Sequence, residues 1–205
     1  MRISYFIAKL FKKINIAAIK NSDIHKTSKI SSFSHVVDVK MDRYSYIGNN
    51  CTVINIDIGA FCSIADNVII GGASHPTGWV STSPVFNKNK NIMRKNFSHK
   101  PYETTKKTTI KNDVWVGNNS VIKSGVTIEN GAIIGMGSVV TKNVGAYEIW
   151  AGNPAKLIRK RFNDKDIELL INSDWWCWDD DEINKYANLI SSHKLFIDLL
   201  IKKTR

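Results

Sequence analysis

Hydrophobic positions recur every six residues between Ile110 and Val144, and this period decides the predicted fold. The first position is aliphatic in six consecutive frames, at Ile110, Val116, Ile122, Ile128, Ile134 and Val140. The fifth position is small or β-branched, at Val114, Ser120, Val126, Ala132, Ser138 and Val144. A strand alternates with a period of about two residues and a helix with about 3.6, so neither explains a strict period of six. A short fixed period with an aliphatic anchor predicts a parallel β-helix.

The hexads also predict how the chain coils. Each frame supplies one short strand and a turn, and three frames close a triangular coil. Successive coils should pair as parallel strands roughly 4.8 Å apart. Positions one and five then face the interior of a prism, and position five lies near a corner that admits only small or slim side chains. Glycine and asparagine at the turns supply the backbone conformations that corners need.

A second, less regular block of hexads lies upstream. Its frames begin at Met41, Ile47, Val53, Ile58, Ile64 and Ile70, and the frame at Val53 has five residues. Cys51 and Cys62 occupy the small inward position. We therefore expect the β-helix to span residues 23–155. Residues 72–109 contain no hexads, so they should leave the prism as a long excursion, and irregular loops of that length are usually functional.

The two ends of the chain have helical rather than hexad patterns. Residues 1–22 predict a basic amphipathic helix, in which lysines interrupt any apolar run long enough for a signal peptide or a membrane span. Two roles are open for this helix, which either caps the open end of the prism or lies on an anionic membrane surface. Residues 156–205 predict a helical appendage, whose core should include Trp175, Trp176 and Trp178.

Composition narrows the classes of function. Three cysteines without metal or redox spacing indicate a reducing compartment and no disulfides, and hence a cytoplasmic location, with the inner face of the membrane as a further option. The net charge of +11 favours an anionic partner. No nucleic-acid-binding motif is present, so we expect a phosphorylated small ligand rather than nucleic acid. No set of histidines and cysteines has zinc or haem spacing, so no metal is expected.

The excursion carries the strongest candidate for chemistry. His75 lies between Gly71-Gly72 and Pro76, so it should project beside the prism wall, where a histidine can act as a general base at neutral pH. An aromatic ring and hydroxyl groups suited to a sugar follow it, at Trp79, Ser81 and Ser83, and His99 is a second loop histidine. The excursion is also strongly basic, which favours an acceptor that carries phosphates, such as a nucleotide-linked sugar.

Several segments together resemble one enzyme family. They are the hexads, the SHPT of residues 74–77, the DVWVG of residues 113–117 that restarts the coil, and the AGNPAKLIRKRF of residues 151–162. Over residues 38–180 the chain resembles the hexapeptide-repeat acyltransferases, in the branch that includes xenobiotic acetyltransferases and surface-polysaccharide O-acetyltransferases. The resemblance implies a left-handed parallel β-helix and a homotrimer with active sites between subunits.

The resemblance also implies roles for particular residues. Acyl-CoA would lie along a prism edge, and His75 would take a proton from the acceptor as it attacks the thioester. A backbone N–H near Gly117 would stabilise the resulting oxyanion. The residues implied in CoA binding are Trp115, Gly117, Gly135, Ser138, Lys142, Gly152, Asn153, Pro154, Lys156, Arg159, Lys160 and Arg161. The basic residues among them would lie near the phosphates of CoA.

The expected function is therefore transfer of an acetyl or larger acyl group from CoA to an amino or hydroxyl group of a sugar, either nucleotide-linked or a surface-glycan precursor. The residues expected to bind this acceptor are Trp79, Ser81, Ser83 and His99. Two alternatives stay open. A xenobiotic or antibiotic O-acetyltransferase would share His75 and CoA, whereas a non-catalytic trimeric β-helix scaffold would have no affinity for CoA.

Overall fold

The structure is a computed structural model that describes residues 16–203 together with residues 3, 6, 7 and 9. The strands within these residues are β1 (Ala18–Lys20), β2 (Asp23–Ile24), β3 (Lys29–Ile30), β4 (His35–Met41), β5 (Tyr46–Ile47), β6 (Thr52–Ile58), β7 (Ser63–Ile64), β8 (Ile69–Ile70), β9 (Thr108–Ile110), β10 (Trp115–Val116), β11 (Val121–Ile122), β12 (Thr127–Ile128), β13 (Ile133–Ile134), β14 (Val139–Val140), β15 (Glu148–Gly152) and β16 (Ala155–Lys160). The helices are α1 (Asp164–Asn172), α2 (Asp180–Ile190) and α3 (His193–Lys203).

The strands stack in parallel on three faces, which confirms the predicted parallel β-helix. The first face has the order β1-β4-β6-β8-β11-β14, and the second follows β2-β4-β6-β9-β12, with β4 and β6 running across both. The third face has the order β3-β5-β7-β10-β13-β15, and β16 then adds antiparallel to β15. We number the edges of the prism by the corners of one coil: the first edge contains residues 117–119, the second 123–125 and the third 129–131.

The core of the prism is the hexad pattern itself. Every first-position residue from Met41 to Val140 is buried, and so is every fifth-position residue from Val114 to Val144. Polar fifth positions hydrogen-bond inside the prism, as Ser120 Oγ does with the carbonyl of Gly135 at 3.1 Å. The cysteines at this position are buried as well, and burial raises the pKa of the Cys62 thiol to about 12. Cys62 is therefore an inert small core residue rather than a nucleophile.

The helix predicted over residues 1–22 is wrong for its last residues. Most of the helix predicted over residues 1–22 lies outside the described residues, although positions 3, 6, 7 and 9 are helical and exposed. Ala18–Lys20, however, forms β1, which pairs in parallel with His35–Val37 of β4. Pairing with an exposed strand edge satisfies backbone groups of β4 that would otherwise have no partner in the sheet, and this outweighs the helical pattern of the sequence.

The excursion comprises residues 71–107, which leave the prism at the second edge after β8 and rejoin it at β9. Gly71 makes the exit possible, because its φ is +84° and a Cβ there would lie 2.2 Å from the carbonyl oxygen of Ile54. The outgoing and returning arms are joined by backbone hydrogen bonds such as Ser74 N–H to the Thr104 carbonyl, at 2.6 Å. An ion pair of 2.8 Å between Lys107 and Asp57 of β6 links the end of the returning arm to the prism.

The C-terminal helices pack on the third edge. Phe61, at the corner that follows β6, contacts the ring of Trp175 at 5.2 Å between centroids, and Trp175 and Trp176 are buried in this second core. The helical appendage begins later than residue 156, since Ala155–Lys160 forms β16 and α1 starts after its N-cap Asn163. Residues 155–160 form a strand because β15 is the last parallel strand of the third face and its free side offers them backbone partners.

Candidate active site

His75 is exposed at the start of the excursion, and one of its ring nitrogens is fixed. Nδ1 lies 2.8 Å from the carbonyl oxygen of Thr82. A carbonyl oxygen only accepts hydrogen bonds, so Nδ1 must carry the proton. The neutral ring then has its lone pair on Nε2, which is the tautomer that a general base requires. The Thr82 carbonyl, which belongs to the same excursion, therefore orients the ring of His75.

An aromatic wall lies in the same excursion. The ring of Trp79 packs edge-on against Tyr102 at 5.6 Å, and the ammonium group of Lys100 lies 4.7 Å from its centroid. Tyr102 also places its hydroxyl 3.4 Å from the Ser74 hydroxyl, beside His75 in sequence. These contacts fix a flat apolar surface together with a cation, a combination that suits a ring-bearing anionic ligand.

The other predicted acceptor residues are placed less uniformly. The hydroxyl of Ser81 accepts a hydrogen bond of 3.1 Å from the backbone N–H of Ser83, so these two residues form one small turn beyond Trp79. His99 is exposed on the returning arm. Lys100 is one of the basic residues that make the excursion a candidate for binding an anionic acceptor, but no sequence pattern places it or Tyr102 beside Trp79, because a loop without a period does not reveal which of its residues meet.

Gly117 and Gly135, at the first edge, are required by packing between coils. A Cβ on Gly117 would lie 2.6 Å from the backbone nitrogen of Met136 in the next coil. The N–H of Gly117 donates to the carbonyl of Ile134 at 2.8 Å, and the N–H of Gly135 donates to that of Trp150 at 2.8 Å. The parallel ladder of the third face therefore already uses the Gly117 N–H, and an oxyanion donor elsewhere near Gly117 stays a prediction.

Ser138 also departs from its predicted role. Its side chain is fully buried, and its hydroxyl lies 2.5 Å from the carbonyl oxygen of Gly135 and accepts from the N–H of Gly152 at 3.3 Å. A ligand on the surface does not reach it, because position five of the hexad turns inward. Trp115, in contrast, is 51 % exposed in β10, immediately before the first edge.

The hairpin of β15 and β16 carries most of the other predicted CoA residues. Its tip is Gly152, with φ of +102°, followed by a cis peptide bond between Asn153 and Pro154, and these residues and Lys156 are exposed. Lys142 is exposed too, but it lies at the second edge, in the corner between β14 and Val144.

The three basic residues that end the hairpin have different environments. Arg159 is exposed and donates from Nη1 to the carbonyl of Lys160. Lys160 pairs with Asp164 in the first turn of α1, and this hydrogen bond raises the lysine pKa. Arg161 turns to the third edge, where Nη1 donates to the carbonyl of Gly131 at 2.7 Å. Arg161 therefore ties the prism to the appendage through Nη1, and its expected role at a CoA phosphate stays a prediction.

Within the described part of the chain, no group of three or more histidine, cysteine, aspartate or glutamate side chains is arranged to hold a metal ion. None of the described helices has both the length and the hydrophobicity of a membrane-spanning segment.

The comparisons with known proteins agree with the fold and the repeat. The bacterial transferase hexapeptide family, in its form with six repeats, matches residues 107–142. A probable macrolide acetyltransferase of Lysinibacillus sphaericus is 37 % identical over 166 residues, which cover 79 % of this chain and 88 % of the relative. A chloramphenicol acetyltransferase of Morganella morganii is 35 % identical over 181 residues, which cover 78 % of this chain and 85 % of the relative. The chain therefore belongs to the hexapeptide-repeat acyltransferases, as its motifs predict.

A solved structure supports the same architecture. An N-acyltransferase from Bacillus cereus, crystallised with dTDP-4-amino-4,6-dideoxyglucose and coenzyme A, superposes with a TM-score of 0.58. The match covers 83 % of this chain and 95 % of that one, at 23 % identity. At this identity the likeness establishes the shared fold.

Proposed function

We propose that this protein transfers an acyl group from acyl-CoA to a hydroxyl or amino group of a sugar, with His75 as the general base. The observation that carries the proposal is the hydrogen bond from His75 Nδ1 to the Thr82 carbonyl, because it leaves Nε2 as the acceptor. Nε2 takes the proton of the attacking hydroxyl or amine while the new C–O or C–N bond forms at the thioester carbon. The tetrahedral intermediate then breaks its C–S bond, and the proton passes from Nε2 to the departing CoA sulfur.

CoA is assigned to the first edge and the hairpin tip. The exposed ring of Trp115 and the close-packed corners at Gly117 and Gly135 would line the pantetheine arm. Gly152, Asn153 and Pro154 continue this line at the hairpin tip. Exposed cations on the hairpin that suit the phosphates are Lys156, Arg159 and Lys160. Lys142, at the second edge, would reach this CoA only from a neighbouring subunit.

The topology supports a site shared between subunits. His75 leaves the prism at the second edge, whereas Gly117 and Gly135 lie on the first, and the whole first face separates the two edges within one chain. Three strands of that face are apolar on their outward side, with Ile69, Val121 and Val139 in register. Thr52 and His35 continue this row on β6 and β4. In a homotrimer that buries this face, the excursion of one subunit would meet the first edge of the next. Light scattering should then report about three chains per particle, and a monomer at assay concentration would contradict the shared site.

The charge of the excursion favours an anionic sugar acceptor. Residues 71–107 contain six lysines and one arginine against one glutamate, a net charge of +6 out of +11 for the chain. Trp79, Ser81, Ser83 and His99 would contact the sugar, and Lys100 would face a phosphate of a nucleotide-linked acceptor. A neutral acceptor would not need this charge.

The macrolide and chloramphenicol acetyltransferase relatives favour a second candidate, an antibiotic O-acetyltransferase. Such an enzyme would use the same His75 and CoA with an uncharged hydroxyl acceptor. The aromatic wall at Trp79 fits this acceptor as well, and only the basic excursion argues against it.

The test is release of CoA thiol from acetyl-CoA in the presence of nucleotide-linked amino sugars, free sugars, macrolides and chloramphenicol. Wild type is compared with His75→Ala and with His25→Ala, a histidine that follows β2 at the third edge, away from the first face. We expect turnover with a nucleotide-linked sugar that falls about 10²- to 10⁴-fold in His75→Ala and stays unchanged in His25→Ala. Turnover with an antibiotic alone would select the second candidate. No CoA binding by calorimetry would select the scaffold and overturn the proposal.

A further inference from the structure

A cavity of about 250 Å³ lies on the third edge, where the helices meet the prism. The rings of Phe162, Trp175 and Phe196 form much of its wall. Its polar atoms come from Tyr147, Asp113, Arg161, Ser191 and His193, and the His193 ring stacks on Phe162 and pairs with Asp166. The cavity is on a different edge from both the excursion and the hairpin tip. It therefore takes no part in the chemistry assigned to His75.

One polar group in this cavity lacks an acceptor for its proton. Tyr147 is 2 % exposed, and its hydroxyl meets the side chain of Trp175, whose indole N–H can only donate. Within the described chain no group accepts the hydroxyl proton of Tyr147. Burial raises the pKa of this phenol to about 12, so the hydroxyl keeps its proton and is a donor at neutral pH. A buried hydroxyl whose proton has no acceptor is costly, which indicates that the cavity normally contains something that accepts from it.

The ion pair beside Tyr147 has unused capacity as well. Arg161 makes both of its hydrogen bonds from Nη1, to Asp113 Oδ2 at 3.2 Å and to the Gly131 carbonyl at 2.7 Å. Toward the rest of the described residues, its Nη2 and Nε donate no hydrogen bond, and Asp113 Oδ1 accepts none. The cavity thus offers donors from Tyr147 and Arg161 next to an acceptor on Asp113, and the two charges cancel.

We propose that this cavity is a binding site for a small, neutral, planar molecule that carries an acceptor and a donor side by side, as a carboxamide does. Its carbonyl oxygen would accept from Tyr147 or Arg161, and its N–H would donate to Asp113. A cavity of about 150 Å³ holds benzene, so about 250 Å³ has room for a ring with a polar substituent between the aromatic walls. An anion would meet the Asp113 carboxylate, which is why the ligand is neutral.

The probe is 4-fluorobenzamide, and its binding to the full chain is followed by ¹⁹F NMR titration. We expect saturable binding that weakens about tenfold in Tyr147→Phe, because one hydrogen bond to a neutral group is lost. Ser191→Trp places a large ring at the mouth of the cavity, from an exposed position at the end of α2, and should abolish binding. Lys194→Trp, equally exposed but outside the cavity, is the matched control and should bind as wild type does.

Three results would overturn the proposal: no saturable binding to wild type, binding unchanged in Ser191→Trp, or displacement of the probe by CoA. The first means that water alone occupies the cavity, and the other two place the probe elsewhere on the protein. Binding of 4-fluorobenzoate as tight as that of the amide would also contradict the neutral ligand class. Circular dichroism of each variant verifies that it is folded before the titration.

Discussion

Replacing either glycine at the start of the excursion by alanine should separate backbone strain from steric conflict. Gly71 has φ of +84° and Gly72 has φ of +98°, so an alanine at either position must adopt a conformation that L residues disfavour. Only Gly71 has a neighbour in the way: its Cβ would lie 2.2 Å from the Ile54 carbonyl oxygen, whereas nothing lies within 4 Å of a Cβ at Gly72. The two substitutions therefore share the strain and differ in the collision.

The backbone strain and the steric collision have different expected energies. Left-handed backbone costs an alanine about 1–2 kcal/mol, and the loss of glycine's freedom in the unfolded chain returns about 0.4–1 kcal/mol. Gly72→Ala should thus lower the free energy of unfolding by about 1 kcal/mol. At Gly71 the Cβ falls about 1.2 Å short of the 3.4 Å at which ordinary contact begins, and such overpacking costs about 1–3 kcal/mol more. The N–H of Gly71 also donates to the Ile122 carbonyl, so the coil resists the movement.

Urea unfolding of the two variants measures the difference directly, and acyl transfer measures its effect on His75. Because the collision must be relieved by moving the start of the excursion by about 1 Å, we expect Gly71→Ala to lose about 10²-fold in turnover, and Gly72→Ala to lose much less. CoA affinity should not change in either variant. Equal stabilities and equal turnovers for the two proteins would refute the reasoning, because the collision at Gly71 would then have no consequence.

Three further predictions concern the core and the third edge. Ile122→Asp and Ile134→Asp should unfold the prism, since a buried unpaired carboxylate costs several kcal/mol, while Thr127→Asp, at an outward position of the second face, should stay folded by circular dichroism. Burial raises the pKa of Asp113 above 3.8 despite Arg161, so the folded state binds a proton before the unfolded state does. Wild type should therefore gain stability over Asp113→Asn as the pH falls through the raised pKa toward 3.8, and a difference between the two proteins that is constant with pH would contradict this. Of the three thiols, only the exposed Cys177 should react rapidly with a disulfide reagent in the native protein, with all three reacting in denaturant.

The hexads predict the prism because each residue's environment repeats. Ile122 lies above Ile70 and below Val140 in the observed register, as a period of six and a coil of three frames require. The five-residue frame at Val53 also has a physical reason. Asn55 adopts φ of +56° and turns the corner within β6. This coil therefore crosses the second edge with one residue fewer, and the strands of the next coil stay in register.

The candidate site could be predicted only in part, because its contacts follow no period. The position of His75 after two glycines is visible in the sequence, but its partner is the carbonyl of Thr82, and a backbone group carries no sequence signal. Ser138 shows the opposite case, in which a sequence signal misleads. It lies in a segment that resembles the family, yet the inward corner buries its side chain completely.

The segments that leave the coil at its three edges explain how a β-helix can carry an active site. A closed ladder uses the backbone N–H groups of its strands, as the bond from Gly117 to Ile134 shows, so the prism itself has few groups to offer a substrate. Chemistry must then come from chain that leaves the coil, and each edge here has one such addition: the hairpin tip at the first, the excursion at the second and the helices at the third. Since His75 and the hairpin tip depart from different edges of one prism, bringing them together requires either a neighbouring subunit or an excursion long enough to cross the first face. The apolar outward side of three strands of that face favours the neighbour, because Ile69 and Val121 would otherwise remain exposed to water.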